Sequence, residues 1–102
     1  MLDKLTVDDF RPHVGQRFVL DLDGTGSLDL ELVEAFTHED GAAAVDDSGT
    51  RSPFTVQFAG PSEPIVAQRI YRIENERLGA LEIFIVPIAR DESATRYEAV
   101  FA

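Results

Sequence analysis

Apolar and polar side chains alternate along most of the chain, which is the pattern of half-buried β-strands. The alternation is clearest across residues 17–32, where Phe18, Leu20 and Leu22 and then Leu28, Leu30 and Leu32 flank a glycine-containing segment. Four further strands are predicted at 53–60, 68–74, 80–87 and 96–101. Six short strands separated by turn residues predict a single mainly β domain over residues 1–102, a small antiparallel barrel or sandwich.

The segment 17–32 is predicted to form a hairpin. Because side chains alternate with period two, the leucines of both arms share a face only if paired residue numbers have an even sum. We predict the pairs Leu22 with Leu28, Leu20 with Leu30, and Phe18 with Leu32. The loop is then 24–26, with Gly26 in the left-handed conformation. After the hairpin, the alternation breaks near Val33, which predicts a β-bulge.

Three other segments complete the predicted domain. A short helix is expected over about residues 5–11, with Thr6 and Asp9 spaced as a capping box. The polar and small residues of 38–52 predict a long mobile loop. The strand 80–87 is apolar on both faces, since Phe84 and Val86 alternate with Leu81, Ile83 and Ile85. Both faces are therefore expected to be covered, by the chain itself, by self-association (a homodimer, for example) or by a stable partner.

Charge and composition exclude several classes of function. The chain has 102 residues, no Cys and a net charge of −10, with 12 acidic and three basic side chains in residues 1–50. A disulfide scaffold and a zinc ribbon both need Cys. Such an acidic surface repels nucleic acid and anionic membranes, so neither is expected as a partner. The charge either serves solubility or forms a docking face for a basic protein partner. Without an apolar leader or an 18-residue apolar run, the expected location is the cytoplasm.

Two motifs within 18–32 resemble known catalytic or metal-binding loops. Phe18 to Thr25 resembles the first motif of the haloacid dehalogenase superfamily, D-x-D-G-T, in which Asp21 would be the nucleophile and Asp23 the general acid/base beside Mg²⁺. That family also needs crossover helices and a downstream Lys or Arg for the phosphoryl charge, and the only Lys here is Lys4. The same residues have the spacing of an EF-hand calcium loop, but Leu32 occupies the position of the bidentate Glu and strands flank the loop.

The remaining polar groups have structural interpretations. The adjacent side chains of His38, Glu39 and Asp40 diverge, so we predict no metal site and no cofactor. Arg69 and Arg72 are expected to pair with Glu74 and Glu82 across the fourth and fifth strands. In the predicted hairpin register, Asp21 lies opposite Asp29, and Val19 opposite Glu31. These carboxylates either discourage the ribbon from pairing with neighbouring chains or bind a basic partner, and the predicted partner-binding residues are Asp21, Asp29 and Glu31.

Several segments of the chain carry a resemblance to known sequences: Phe58-Ala59-Gly60-Pro61, the segments 68–74, 78–79, 81–88 and 97–101, and, at the opening, Phe10, Gly15 and Phe18. In these segments the chain resembles a family of small uncharacterised bacterial domains. Members occur near genes for phage-tail-like proteins. The resemblance implies a self-standing β domain and assigns no catalytic residues.

These observations predict a non-enzymatic protein-interaction or assembly module, accessory to a bacterial or phage-tail-like assembly. A small-ligand-binding barrel with its mouth near 38–52 is one alternative, and a residual phosphohydrolase built on Asp21 and Asp23 is another. An apolar pocket ringed by polar groups would favour ligand binding, whereas a filled core with an exposed apolar patch would favour the module.

Overall fold

The computed structural model describes residues 5–37 and 53–101, so the predicted mobile loop and His38, Glu39 and Asp40 lie outside the described residues. The chain opens with helix α1, Val7–Phe10, which continues as a 3₁₀ turn over Arg11–His13. The predicted capping box forms, and the Thr6 N–H donates to Asp9 Oδ2 at 2.7 Å. Val7 and Phe10 lie one turn apart on the same side of α1, and both are buried.

Six strands follow and close into an antiparallel barrel. The predicted fold class is confirmed, and of its two alternatives, barrel and sandwich, the barrel is observed. The strands are β1 (Arg17–Asp21), β2 (Ser27–Thr37), β3 (Phe54–Gly60), β4 (Arg69–Asn75), β5 (Gly79–Arg90) and β6 (Thr95–Phe101). Around the barrel the order is β1-β2-β3-β6-β5-β4, and β4 returns to β1. The closing ladder is short, with Val19 opposite Glu74 and Leu20 opposite Ile73.

The first hairpin forms between β1 and β2, but the predicted register is wrong by two residues. Leu20 pairs with Leu28 and Phe18 with Leu30. The connection is five residues long rather than three, because the Leu22 N–H donates to the Gly26 carbonyl at 2.9 Å and ends the ladder before Leu22. A shift of two preserves the parity of the pairing, so the predicted inward face is still correct.

Two bulges shape the longer strands. The predicted bulge near Val33 is confirmed by a register shift between Leu32 and Glu34, after which Ala35 takes the position opposite the inward Val56. A second shift, between Pro87 and Ala89, was not predicted, and β5 continues to Arg90. Proline cannot donate to a ladder, so it is tolerated in a strand at a bulge of this kind.

Side chains fill the interior of the barrel. All six strands and α1 contribute, and the largest fully buried side chains are Tyr97, Phe10, Phe18, Phe54, Phe58, Leu20, Leu30, Leu32, Ile73, Ile83, Ile85 and Val7. Phe10 from α1 packs at one end of the barrel, with its ring centroid 5.8 Å from that of Phe54 and 5.5 Å from that of Phe101. The buried Tyr97 hydroxyl accepts the Val66 N–H at 3.1 Å, which fixes the connection before β4.

The two faces of β5 differ in exposure within the single chain. Ile83 and Ile85 are buried as predicted, but Phe84 is 48% exposed and Val86 is half-buried. The described part of the chain forms one layer of sheet around a core, and only inward side chains are enclosed by it. Coverage of Phe84 by self-association or by a stable partner stays a prediction.

Candidate protein-interaction surface

The two aspartates of the D-x-D-G-T motif serve the first hairpin. Asp21 Oδ1 accepts the Gly24 N–H at 3.1 Å, which stabilises the turn that follows β1. Asp23 has a φ of 57° and its carboxylate is bonded to the Arg69 guanidinium. Strands rather than helices flank this loop, so the helix–loop–helix of an EF-hand does not form.

Arg69 joins the hairpin to β4 instead of pairing with Glu74 or Glu82 as predicted. Its guanidinium lies 4.8 Å above the Tyr71 ring, and the hydrogen bond and charge of Asp23 raise the Arg69 pKa. This contact exists because β4 lies beside β1 in the closed barrel. Arg72 fits its prediction better: its Nε lies 3.6 Å from Glu74 Oε1, and it stands opposite Glu82.

The predicted partner-binding carboxylates lie on the outer side of β1 and β2, but not in the predicted arrangement. Asp21 stands opposite Ser27, and Asp29 stands opposite Val19. The predicted opposition of Asp21 and Asp29 is therefore wrong, because the longer loop displaces β1 along β2. Glu31 stands opposite Arg17, and Arg17 Nη1 lies 3.7 Å from Asp29 Oδ2.

This acidic outer surface of β2, formed by Asp29, Glu31 and Glu34, is exposed to solvent. Arg17 partly balances the negative charge of this surface. The ion pair between Arg17 and Asp29 is exposed, and exposed pairs contribute at most about 1 kcal/mol to stability. A partner-binding role for Asp21, Asp29 and Glu31 stays a prediction.

Other polar groups have local partners. His13 Nδ1 lies 2.9 Å from Gln16 Oε1 in the segment that leads into β1. Within residues 5–37 and 53–101, no three His, Asp or Glu side chains gather in a way that could hold a metal ion. The depression beside the β1–β4 ladder, of about 570 Å³, is lined by a mainly polar set: Gln16, Arg17, Val19, Glu74, Asn75 and Glu76. It lies on the outside of a barrel whose interior is filled.

A more distinctive feature is an apolar surface on the outside of β4, β5 and β6. We call it the β5 outer face and define it by Ile70, Phe84, Val86 and Val100. Ile70 stands directly opposite Phe84, and Val86 stands opposite Glu98 on β6. Val100 lies on β6, two residues after Glu98. Ile70 is 58% exposed and Val100 is 56% exposed.

The sequence contained one signal for this face, the apolar character of both sides of 80–87. It did not reveal that Ile70 lies beside Phe84, because that requires the register between β4 and β5. Large apolar side chains scattered singly over a surface are ordinary, but a contiguous group is typical of a binding surface.

Fold and surface together define a small closed antiparallel barrel with a filled interior and an apolar patch on its outer wall. Residues 5–101 match the family described as "Domain of unknown function (DUF6916)", and the chain belongs to that family. Searches of the curated proteins and of the solved structures gave no match. In the part of the chain that the structure describes, no helix has the length and apolar content needed to cross a bilayer.

Proposed function

We propose that the chain is a non-enzymatic protein-interaction or assembly module that docks through the β5 outer face. The observation that carries this proposal is the exposed Phe84, with the exposed Ile70 directly opposite it, on a barrel whose interior is already filled. Covering these side chains removes apolar surface from water without any change in the fold, and about 25 cal/mol per Å² is gained on burial.

The same observations weigh against the two alternatives. A ligand-binding barrel needs interior space, and here the rings of Phe18, Phe58 and Tyr97 occupy the interior. A phosphohydrolase of the haloacid dehalogenase type needs two free carboxylates, and here Asp21 caps a turn and Asp23 is bonded to Arg69.

The setting we propose is cytoplasmic, as an accessory part of a larger bacterial or phage-tail-like assembly. The acidic outer surface of β2 is the second surface of such a module, and it suits a partner with a basic patch. Charge complementarity of this kind raises association rates and makes them sensitive to salt.

The experiment is a pull-down from the source cell with the whole chain as bait, comparing Phe84→Ser with the control Val14→Ser. Val14 is 45% exposed and lies outside the β5 outer face, so its substitution removes a similar exposed apolar side chain. A specific partner should be lost with Phe84→Ser and kept with Val14→Ser. Retention by both variants would contradict docking through this face. Mg²⁺-dependent hydrolysis of phosphomonoesters that disappears in Asp21→Asn would contradict the non-enzymatic assignment.

A further inference from the structure

The barrel closes through its shortest ladder. Strands β1 and β4 are paired at two positions, Val19 with Glu74 and Leu20 with Ile73. The ladder between β1 and β2 extends over five positions, and those between β3 and β6 and between β4 and β5 each extend over seven. We call the β1–β4 ladder the seam. Because the hydrogen bonds between strands follow the paired positions, the seam has the fewest of them among the ladders of the described residues.

A side-chain amide links the two strands at one end of the seam. Asn75, the last residue of β4, is buried, and its Nδ2 donates to the Arg17 carbonyl at 3.1 Å and to Gln16 Oε1 at 3.3 Å. The Asn75 Oδ1 accepts the N–H groups of Arg77 and Leu78, which fixes the orientation of the amide. The depression of about 570 Å³ lies at this end of the seam, where the amide takes the place of ladder hydrogen bonds.

An ion pair links the two strands at the other end of the seam. The Asp23 carboxylate, in the loop after β1, is bonded to the guanidinium of Arg69, the first residue of β4, and this guanidinium also lies over the Tyr71 ring. Both charged side chains are at least half exposed, and an exposed pair holds two elements together only weakly. The seam therefore depends on one short ladder and on side chains at both of its ends.

The core opposes separation at the seam. Leu20 and Ile73 are fully buried, so parting β1 from β4 brings apolar side chains into water. The separated form is for this reason a small fraction of the molecules. It nevertheless requires the loss of fewer backbone hydrogen bonds than separation at the other ladders. Local opening occurs at the elements that are held least strongly, with a free energy below that of global unfolding.

We infer that the barrel opens reversibly at the seam, and that Asn75 and the Asp23–Arg69 pair are the contacts that keep it closed. When the seam is open, β1 and β4 each present a strand edge without a partner, and a further strand can pair with such an edge. The inference goes beyond the proposed function and does not rest on it, because it concerns the β1–β4 side of the barrel and not the β5 outer face.

The first test is native-state hydrogen exchange of the whole chain, followed by NMR at single amides. Amides that donate across the seam should exchange at least about tenfold faster than those between β3 and β6, and their exchange should depend less on added denaturant, as is typical of local opening. Equal exchange rates in the two ladders, with the same dependence on denaturant, would overturn the inference.

The same measurement on variants tests the contacts at the two ends, with exchange at the seam expressed relative to the β3–β6 ladder. Asn75→Asp keeps the acceptor of the turn but loses the donor to the Arg17 carbonyl, so the ratio should rise. Arg69→Ala should raise it by up to about fivefold, which is what an exposed pair can contribute. The control Arg11→Ala removes the exposed ion pair with Asp8 in α1 and should leave the ratio unchanged. Ratios that do not rise in Asn75→Asp and Arg69→Ala would refute the role of these contacts.

The second test closes the seam with a disulfide. The chain has no Cys, so cysteines introduced as Val19→Cys and Glu74→Cys can pair within the chain only with each other. These positions are directly opposite, and opposite residues of an antiparallel ladder have Cα atoms about 4.5–5.5 Å apart, within reach of a disulfide. Oxidation should slow exchange at the seam to the rate of the β3–β6 ladder, and reduction should restore it. The control pair Arg72→Cys and Glu82→Cys joins β4 to β5 and should leave exchange at the seam unchanged. A seam disulfide without effect, or a control disulfide with an equal effect, would overturn the inference.

Discussion

Phe10 is the side chain through which α1 packs on the end of the barrel, and Phe10→Ala is expected to be strongly destabilising. The ring is fully buried and lies 5.8 Å from Phe54 and 5.5 Å from Phe101. Its removal loses the transfer free energy of the ring and leaves a cavity, which for Phe→Ala costs about 3–5 kcal/mol. Loss of two aromatic contacts places the cost in the upper part of that range, since each contributes about 0.5–1.5 kcal/mol beyond its area.

That cost is a large share of the stability of the domain. Domains of this size unfold with a free energy of about 5–15 kcal/mol, so the variant keeps its fold with little margin or loses it. With a urea dependence of about 1–3 kcal/mol per M, the unfolding midpoint should fall by about 1 M or more. Urea unfolding followed by circular dichroism measures this shift.

The control is the same truncation at an exposed site, Phe84→Ala. Because about half of the Phe84 side chain is already in water, its removal should cost about 1 kcal/mol or less. If Phe10→Ala costs no more than Phe84→Ala, α1 does not pack on the barrel in solution, and the description of that end of the core is wrong.

Three further predictions concern separate features. Gly60→Ala should destabilise the domain by about 1–3 kcal/mol in the same urea assay, because the added Cβ would lie 2.8 Å from Leu30 Cδ2 in a packed interior. Asp91 accepts hydrogen bonds from the Ser93 hydroxyl and from backbone N–H groups, which lower the pKa of Asp91. These bonds should therefore stabilise the folded chain above the pKa that Asp91 has when unfolded, and the stabilisation should be lost as the pH falls through its pKa in the folded chain. An NMR titration of the Asp91 carboxyl should find a midpoint below the ordinary value for Asp. Asp29→Lys should lower stability by at most about 1 kcal/mol, because it replaces the exposed ion pair with Arg17 by two like charges. A slower, salt-sensitive association with a partner would support docking of the acidic surface, and unchanged association would refute it.

The parts of the fold that depend on local pattern could be predicted from the sequence. Period-two alternation identified the inward residues, and the break near Val33 identified the bulge. The register of the first hairpin could not be predicted in the same way. Registers that differ by two residues leave the same side chains inside, so the choice between them depends on loop hydrogen bonds such as that from Leu22 to Gly26.

The candidate surface was harder to predict because it combines strands that are distant in sequence. The alternation of residues 80–87 placed Phe84 on the outward face of its strand, but Ile70, which lies opposite it, belongs to β4. Arg69 was misassigned for the same reason, since Asp23 comes beside it only when β4 closes the barrel against β1. Alternation along one strand predicts which face a side chain occupies, whereas its neighbours across the sheet depend on strand order.

Strand order also gives physical meaning to the uneven charge of the chain. Docking through β2 would bring Asp29, Glu31 and Glu34 of two copies together, and like charges placed across a contact are strongly unfavourable. The opposite wall carries the exposed apolar side chains of Ile70 and Phe84, with Arg72, Glu82 and Glu98 around them. We therefore expect the carboxylates of β2 to oppose self-association through their own side of the barrel. Because the ring places β2 opposite β5, a partner that docks on the β5 outer face is held away from these carboxylates.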